Sequence, residues 1–237
     1  PLNAQQTDYS IPFPRPLRNS TDTLTLSIIG DVMMHSRQLE YDHRTFLSGI
    51  SEELRGADLA AGNLEFPLGG KPYSGYPSFS TPESYPEYLA TECGIDIFLT
   101  ANNHVTDRGT KGLERTVSIY DEMSSRLGIQ YTGTSSCKAR RLRHNPLMLT
   151  RRGIRIALVN FTYGTNSPLK DAIPMVERME RDGVGQMLDY ARDNNADFII
   201  ALPHWGREYS LRHDTDQQDW AEFPNLPQQR ADVSRVR

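Results

Sequence analysis

Four short polar motifs in this sequence carry side chains that bind metal ions or move protons: Gly30-Asp31, Gly62-Asn63-Leu64-Glu65, Asn102-Asn103-His104 and His204-Trp205-Gly206-Arg207-Glu208. Each follows a run with the apolar, β-branched character of a strand. In open α/β sheets, ligands bind beyond the carboxyl ends of strands, so motifs distant in sequence can meet there. Carboxylates, asparagine carbonyls and imidazoles together suit a hard or borderline divalent ion such as Mn, Mg, Zn or Fe, and no thiolate argues for a softer one. The chemistry expected is oxygen-rich and redox-neutral. Singly, each motif has a plainer reading: Asp31, Asn63 and Asn103 could serve as turn or N-cap residues that satisfy backbone donors. His35 and His43 fall in a loop or helix start, and His144 and His213 read as surface residues. Four strand ends with the same character are what point to a site.

The elements that must position these motifs are legible in outline. Leu24 to Ile29 reads as a strand that stops at Gly30-Asp31, Ala57 to Ala61 as a short buried strand, Ile95 to Thr100 as a third and Asp197 to Leu202 as a last. Between them, Phe46, Leu47, Ile50 and Leu54 fall on one helical stripe, residues 83–92 read as helix, and Leu113, Val117, Tyr120, Met123 and Leu127 recur at helical spacing before a capping Gly128. Pro146 to Thr150 and Ile154 to Phe161 flank a turn-sized break at Arg151-Arg152-Gly153, which predicts a hairpin. Residues 171–194 read as a long helix with Pro174 in its first turn. The stretch from Pro67 to Pro86 is a long loop rich in Pro, Gly, Ser and Tyr, of the kind that tends to be functional.

Composition bounds the class. A length of 237 residues suits one sizeable domain. The net charge of -4 gives no general reason to bind nucleic acid. No run approaches the ~18 apolar residues of a membrane span. Two cysteines, Cys93 and Cys137, make neither a zinc framework nor a disulfide scaffold. A basic cluster at Arg140, Arg141, Arg143, Arg151, Arg152 and Arg155 is a local exception to the acidic balance.

The stretches Ile29-Gly-Asp-Val-Met33, Ala57-Asp-Leu-Ala-Ala-Gly-Asn-Leu-Glu-Phe-Pro67, Leu99-Thr-Ala-Asn-Asn-His-Val-Thr-Asp-Arg-Gly-Thr-Lys-Gly112 and His204-Trp-Gly-Arg-Glu-Tyr209 resemble the bacterial capsule-synthesis CapA family, over about residues 24 to 222. That resemblance implies an α/β fold of the calcineurin-like metallophosphoesterase type, layered sheets flanked by helices. It also implies a place in poly-γ-glutamate capsule synthesis or export at the bacterial cell envelope. Carried over by position, Asp31, Glu65, Asn103 and His204 match metal ligands and His104 matches the histidine that assists the leaving group in a metal-dependent hydrolase. Asn63, Asp107, Glu208 and His35 would lie behind them or face substrate. The implied partners are an anionic surface polymer or a phosphoester, with membrane-bound capsule synthesis proteins, and no nucleic acid.

Two departures from the family pattern are visible. Asn63 stands where the superfold has a bridging aspartate, so the divalent set is expected to hold one ion, two or none. After a helix expected over Asp214 to Phe223, the chain lacks the Gly-x-His-Pro-His motif, and its C-terminal strands read as missing through truncation or a frame shift. The domain organisation read from sequence is an extended lead-in over 1–22, a CapA-like domain over 23–223 and an atypical tail over 224–237. An exported protein that has lost its signal would begin as this chain does.

Overall fold

The computed structural model describes residues 23–169 and 174–206. The expectations for the lead-in, for the helix over Asp214 to Phe223, for the tail, for His213 and for Glu208 lie outside the described residues.

Strands β1 (Leu26–Val32), β2 (Leu59–Leu64), β3 (Ile97–Leu99) and β4 (Gln130–Thr132) form a parallel sheet in sequence order. β2 is buried at every position. Its near-continuous apolar run is what a parallel strand covered on both faces requires. Alternation along the strands divides the core in two. Ala60, Leu64, Phe98 and Tyr131 face Leu89, Leu113, Val117, Tyr120 and Met123 from helices α2 (Ser84–Thr91) and α3 (Gly109–Leu127). Leu59, Ala61, Ile97 and Leu99 face the other way, onto a second sheet.

That second sheet has the order β6 (Leu147–Arg151), β7 (Ile154–Thr162), β9 (Phe198–His204), with β6 antiparallel and β9 parallel to β7. Leu147, Leu149, Ile156 and Leu158 form its side of the shared core. Helix α4 (Arg141–His144) packs by β6, and α5 (Arg181–Asp193) packs by β7 while burying Val184, Met187, Leu188 and Ala191. The result is a mixed α/β architecture, layered as helices, parallel sheet, second sheet and helix, in line with the fold class expected from sequence. A short antiparallel pair, β5 (Thr134–Ser135) with β8 (Met175–Val176), completes the strands among the described residues. Among the described residues no helix is long and apolar enough to cross a membrane.

Several local expectations hold for stated reasons. α3 ends at Gly128, whose positive φ of 74° lets its N–H reach the Ser124 carbonyl. The β6–β7 turn places Arg152 and Gly153 at φ of 53° and 78°, the pattern that matches strand twist in a two-residue hairpin. Others need correction. The stripe from Phe46 to Leu54 is not one helix: Leu47 takes φ of 59°, and only α1 (Ser51–Gly56) is α-helical there. The long helix expected over residues 171–194 starts only at Arg181. Met175 and Val176 pair instead with Ser135 and Thr134, so tertiary strand pairing overrides the helix-start signal of Pro174. β1 runs on through Asp31 to Val32 rather than stopping at Gly30.

Candidate metal centre

The continuation of β1 past Gly30 is what delivers the first carboxylate. The register passes from Ile29 opposite Gly62 to Asp31 opposite Asn63, leaving Gly30 as an extra residue in β1. Such a bulge re-aims the side chain that follows. Asp31 and Asn63 thus become direct cross-strand neighbours, and Asn63 Nδ2 donates to Asp31 Oδ1 at 2.6 Å. Glu65 follows β2, and its N–H donates to the Val32 carbonyl at 3.0 Å, which carries the ladder beyond the strand's end.

Asn103 and His104 lie on the turn after β3, and a residue from the second sheet ties this turn down. Asn160 in β7 accepts the N–H groups of Thr100 and Ala101 with Oδ1 at 3.0 and 2.8 Å. Its Nδ2 donates to the Leu202 carbonyl of β9 at 2.8 Å. His204 closes β9, opposite Thr162. The two sheets therefore bring their strand ends to one place through a shared buried amide.

The ligand-type atoms of Asp31, Glu65 and His204 all lie within 4.8 Å of one another. His204 Nδ1 is 3.5 Å from Asp31 Oδ1, and His204 Nε2 is 3.5 Å from Glu65 Oε1 and 2.8 Å from Asn103 Oδ1. Asn63 Nδ2 stands 3.1 Å from His204 Nδ1. The site is open on one side, where the Asp31 side chain is 51% exposed, and closed on the other by Glu65 at 9%. The electrostatics differ accordingly. The His204 imidazole, with Nδ1 3.5 Å from Oδ1, holds the Asp31 carboxyl below its usual range against a partial burial that opposes it, with Asn63 adding to the effect. Burial pushes Glu65 up to about 7; the Asp31 charge adds to this, while His204 and His104 pull against it.

Beside this group His104 Nδ1 lies 2.8 Å from Asp107 Oδ2, which also accepts the Phe79 N–H at 2.9 Å. An ionised carboxylate only accepts, so Nδ1 carries the proton and Nε2 faces Glu65 Oε1 at 4.0 Å. This is how a base is held in one tautomer by a neighbouring acid. Phe79 packs edge-on against His104 at 4.7 Å, and His35 edge-on against Phe79 at 5.1 Å, so His35 sits one ring away from His104. Arg108 fixes the long loop that carries Phe79, bonding the Phe79 and Pro72 carbonyls and Ser74 Oγ. His43 lies against Tyr85 and Tyr88, and His144 stacks on Tyr131.

Sequence reasoning missed several residues of this neighbourhood. Asn102 donates to the Leu64 carbonyl at 2.8 Å and to Asn63 Oδ1 at 3.3 Å. Asn166 sets its side-chain amide 3.1 Å from His104 Nδ1, its backbone N–H donates to the Asn103 carbonyl at 2.8 Å, and Tyr163 stacks near His204. Asn102 stood inside a quoted motif, whereas nothing local marks Asn160 or Asn166. Three arginines of the basic cluster face acidic partners: Arg140 with Asp121, Arg141 with Glu177 and Arg152 with Asp58. A small cleft between the sheets, lined by Leu59, Ile97, Gln130 and Arg151, lies at the amino ends of β2, β3 and β4, the end opposite these side chains.

Two carboxylates, an imidazole and an amide oxygen converge at one partly open point, a set that could hold a divalent cation, with oxygen outnumbering nitrogen and no sulfur. The family described as "Bacterial capsule synthesis protein PGA_cap" matches residues 25–225. The capsule biosynthesis protein CapA of Bacillus anthracis is 26% identical over 215 residues, 83% of this chain and 50% of that protein. The PGA biosynthesis protein CapA of Bacillus subtilis is 25% identical, over 84% of this chain and 52% of that one. The chain thus spans about half the length of these curated relatives. Among solved structures, TT1561 of Thermus thermophilus aligns with a TM-score of 0.47 at 10% identity, over 86% of this chain and 79% of that one, a likeness too distant to carry an argument.

Proposed function

Because the chain belongs to the bacterial capsule synthesis protein family PGA_cap, we propose that it serves the synthesis or export of a capsule polymer at the cell envelope. Its chemistry on this reading is metal-assisted cleavage of a phosphoester, and the polymer is of the poly-γ-glutamate type. The observation that carries the chemical part is the meeting of Asp31, Glu65 and His204 within 4.8 Å, with the His104 and Asp107 pair alongside.

Asp31, Glu65, His204 and the side-chain oxygen Oδ1 of Asn103 would hold the ion. Bound there, a divalent ion supplies Lewis-acid charge and lowers the pKa of a coordinated water. The chain's own residues supply the rest. Asp107 accepts from His104 Nδ1 and leaves Nε2 turned to the site, the position from which His104 would pass a proton to a departing oxygen. Asn103 keeps the His204 ring in place through Nε2. Phe79 shields the inner side of His104 from water. Simple binding of an anionic polymer through the arginines is the weaker reading, since Arg140, Arg141 and Arg152 already face carboxylates.

The test is direct. The purified chain loaded with Mn²⁺ hydrolyses an aryl phosphate; His104→Gln keeps the ion but loses about 10²- to 10⁴-fold in rate, the range of a general acid. His204→Ala loses ion and activity together. Unchanged turnover in His204→Ala rejects the reading.

A further inference from the structure

Hydrogen-bond polarity around Asn63 says how many ions this centre accepts. An amide's oxygen and nitrogen are distinguished by their partners. The side-chain atom of Asn102 that lies 2.8 Å from the Leu64 carbonyl oxygen and 3.5 Å from that of Thr100 must be nitrogen, since both partners can only accept. That nitrogen also reaches Asn63 at 3.3 Å, so Asn63 turns its oxygen toward Asn102. A second constraint agrees: the other end of Asn63 lies 2.6 Å from Asp31 Oδ1 and must likewise be the nitrogen. Asn102 is fully buried, and its own Oδ1 has no partner among the described residues, so its orientation rests on the donor side alone. The Asn63 amide group thus points two N–H donors into the site, one at Asp31 and one at His204 Nδ1.

We propose that Asn63, held nitrogen-inward by Asn102, limits this centre to a single divalent ion. Two ions side by side need an acceptor shared between them, commonly a carboxylate. The position between Asp31 and His204 is filled instead by a donor whose partial positive charge opposes a second cation. A consequence follows for His204. In the metal-free chain Nδ1 accepts from Asn63, so the ring proton sits on Nε2 and is donated to Asn103 Oδ1 at 2.8 Å.

The inference rests on the metal reading above, and stoichiometry separates their failures. Equilibrium dialysis of the chain against Mn²⁺, with bound metal counted by elemental analysis, gives about one equivalent for the wild type and about two for Asn63→Asp, which puts a shareable carboxylate in place of the amide. Two equivalents in the wild type overturn the inference and leave the metal reading standing. None overturns both. Asn63→Asp held at one equivalent overturns the role of Asn63. Should that variant fail to fold, the long-range ¹H–¹⁵N spectrum of the chelated wild type decides: an Nε2–H tautomer at His204 supports the inward amide, and an Nδ1–H tautomer excludes it.

Discussion

The two sheets contribute to the same site in unlike ways. The parallel sheet delivers Glu65, Asn103 and His104 from strands closed on both faces, β2 being buried throughout and Phe98 in β3 0% exposed, while Asp31 comes from β1, where Val32 alone is buried. The second sheet delivers His204 from β9, whose positions are half-buried or exposed along their length, with Phe198 at 60%. One region is rigid by burial. The other is held by edge pairing to β7 and by the Asn160 amide. The contrast teaches that the ligand set has a fixed part and a part whose placement depends on a few bonds, and local stability follows such differences in burial.

The same residue type in each sheet gives the largest test. Phe98→Ala empties a filled core position and is expected to cost about 3–5 kcal/mol. Phe198→Ala removes a ring already mostly in water and should stay within about 0.5 kcal/mol. Urea unfolding of both variants checks it. Comparable losses would mean that the second sheet is as tightly packed as the first and would erase the contrast.

Next is the link between the regions. Asn160→Ala leaves the buried Ala101 N–H without its acceptor, takes one of two acceptors from the Thr100 N–H, which keeps the Thr132 carbonyl, and removes a donor from the half-buried Leu202 carbonyl. Unsatisfied buried groups cost about 1–3 kcal/mol each when partial rescue by water is excluded. A net loss of about 2–3 kcal/mol is expected, together with weaker Mn²⁺ binding in the folded fraction, since both the Asn103 turn and β9 lose a tether. Stability lost with metal affinity unchanged would mean that the sheets hold their strand ends independently.

How far all this was legible in the sequence follows the same division. α3 and the β6–β7 hairpin could be read because their signals are local, a helical stripe with Gly128 and a turn-sized gap at Arg152-Gly153. Asp31, Glu65, Asn103, His104 and His204 could be picked out because strand ends concentrate chemistry in such folds. Asn102, Asn160 and Asn166 could not. Their meaning lies in bonds spanning tens of residues, from Asn102 to Leu64 and from Asn160 to Thr100, and an asparagine beside a strand otherwise reads as a turn former. The helix expected over residues 171–194 failed for the same reason, because the pairing of Met175 and Val176 with β5 is a tertiary event that local propensity does not record.

The smallest effect comes from protons and sharpens the comparison inside the fixed part. Glu65 is pushed up to about 7 in the metal-free fold from an ordinary 4.5. Its folded pKa is the higher one, so the native state binds the proton more tightly. The stability it contributes is present below about 4.5 and is lost as pH rises through about 7. Asp31 runs the other way: its lowered pKa gives stability present above the ordinary value of 3.8 and lost in stronger acid. Chelated protein should therefore lose melting temperature between about pH 5 and 8, and Glu65→Gln, which cannot ionise, should lose less over the same interval. Metal reverses the slope, because an ion needs Glu65 as carboxylate: Mn²⁺ affinity rises with pH up to about 7 and then levels, with proton release on uptake below that point. Melting curves of wild type and Glu65→Gln, chelated and loaded, contain the result. Parallel curves for the two chelated proteins would place the Glu65 carboxyl in water, and the closed side of the site with it.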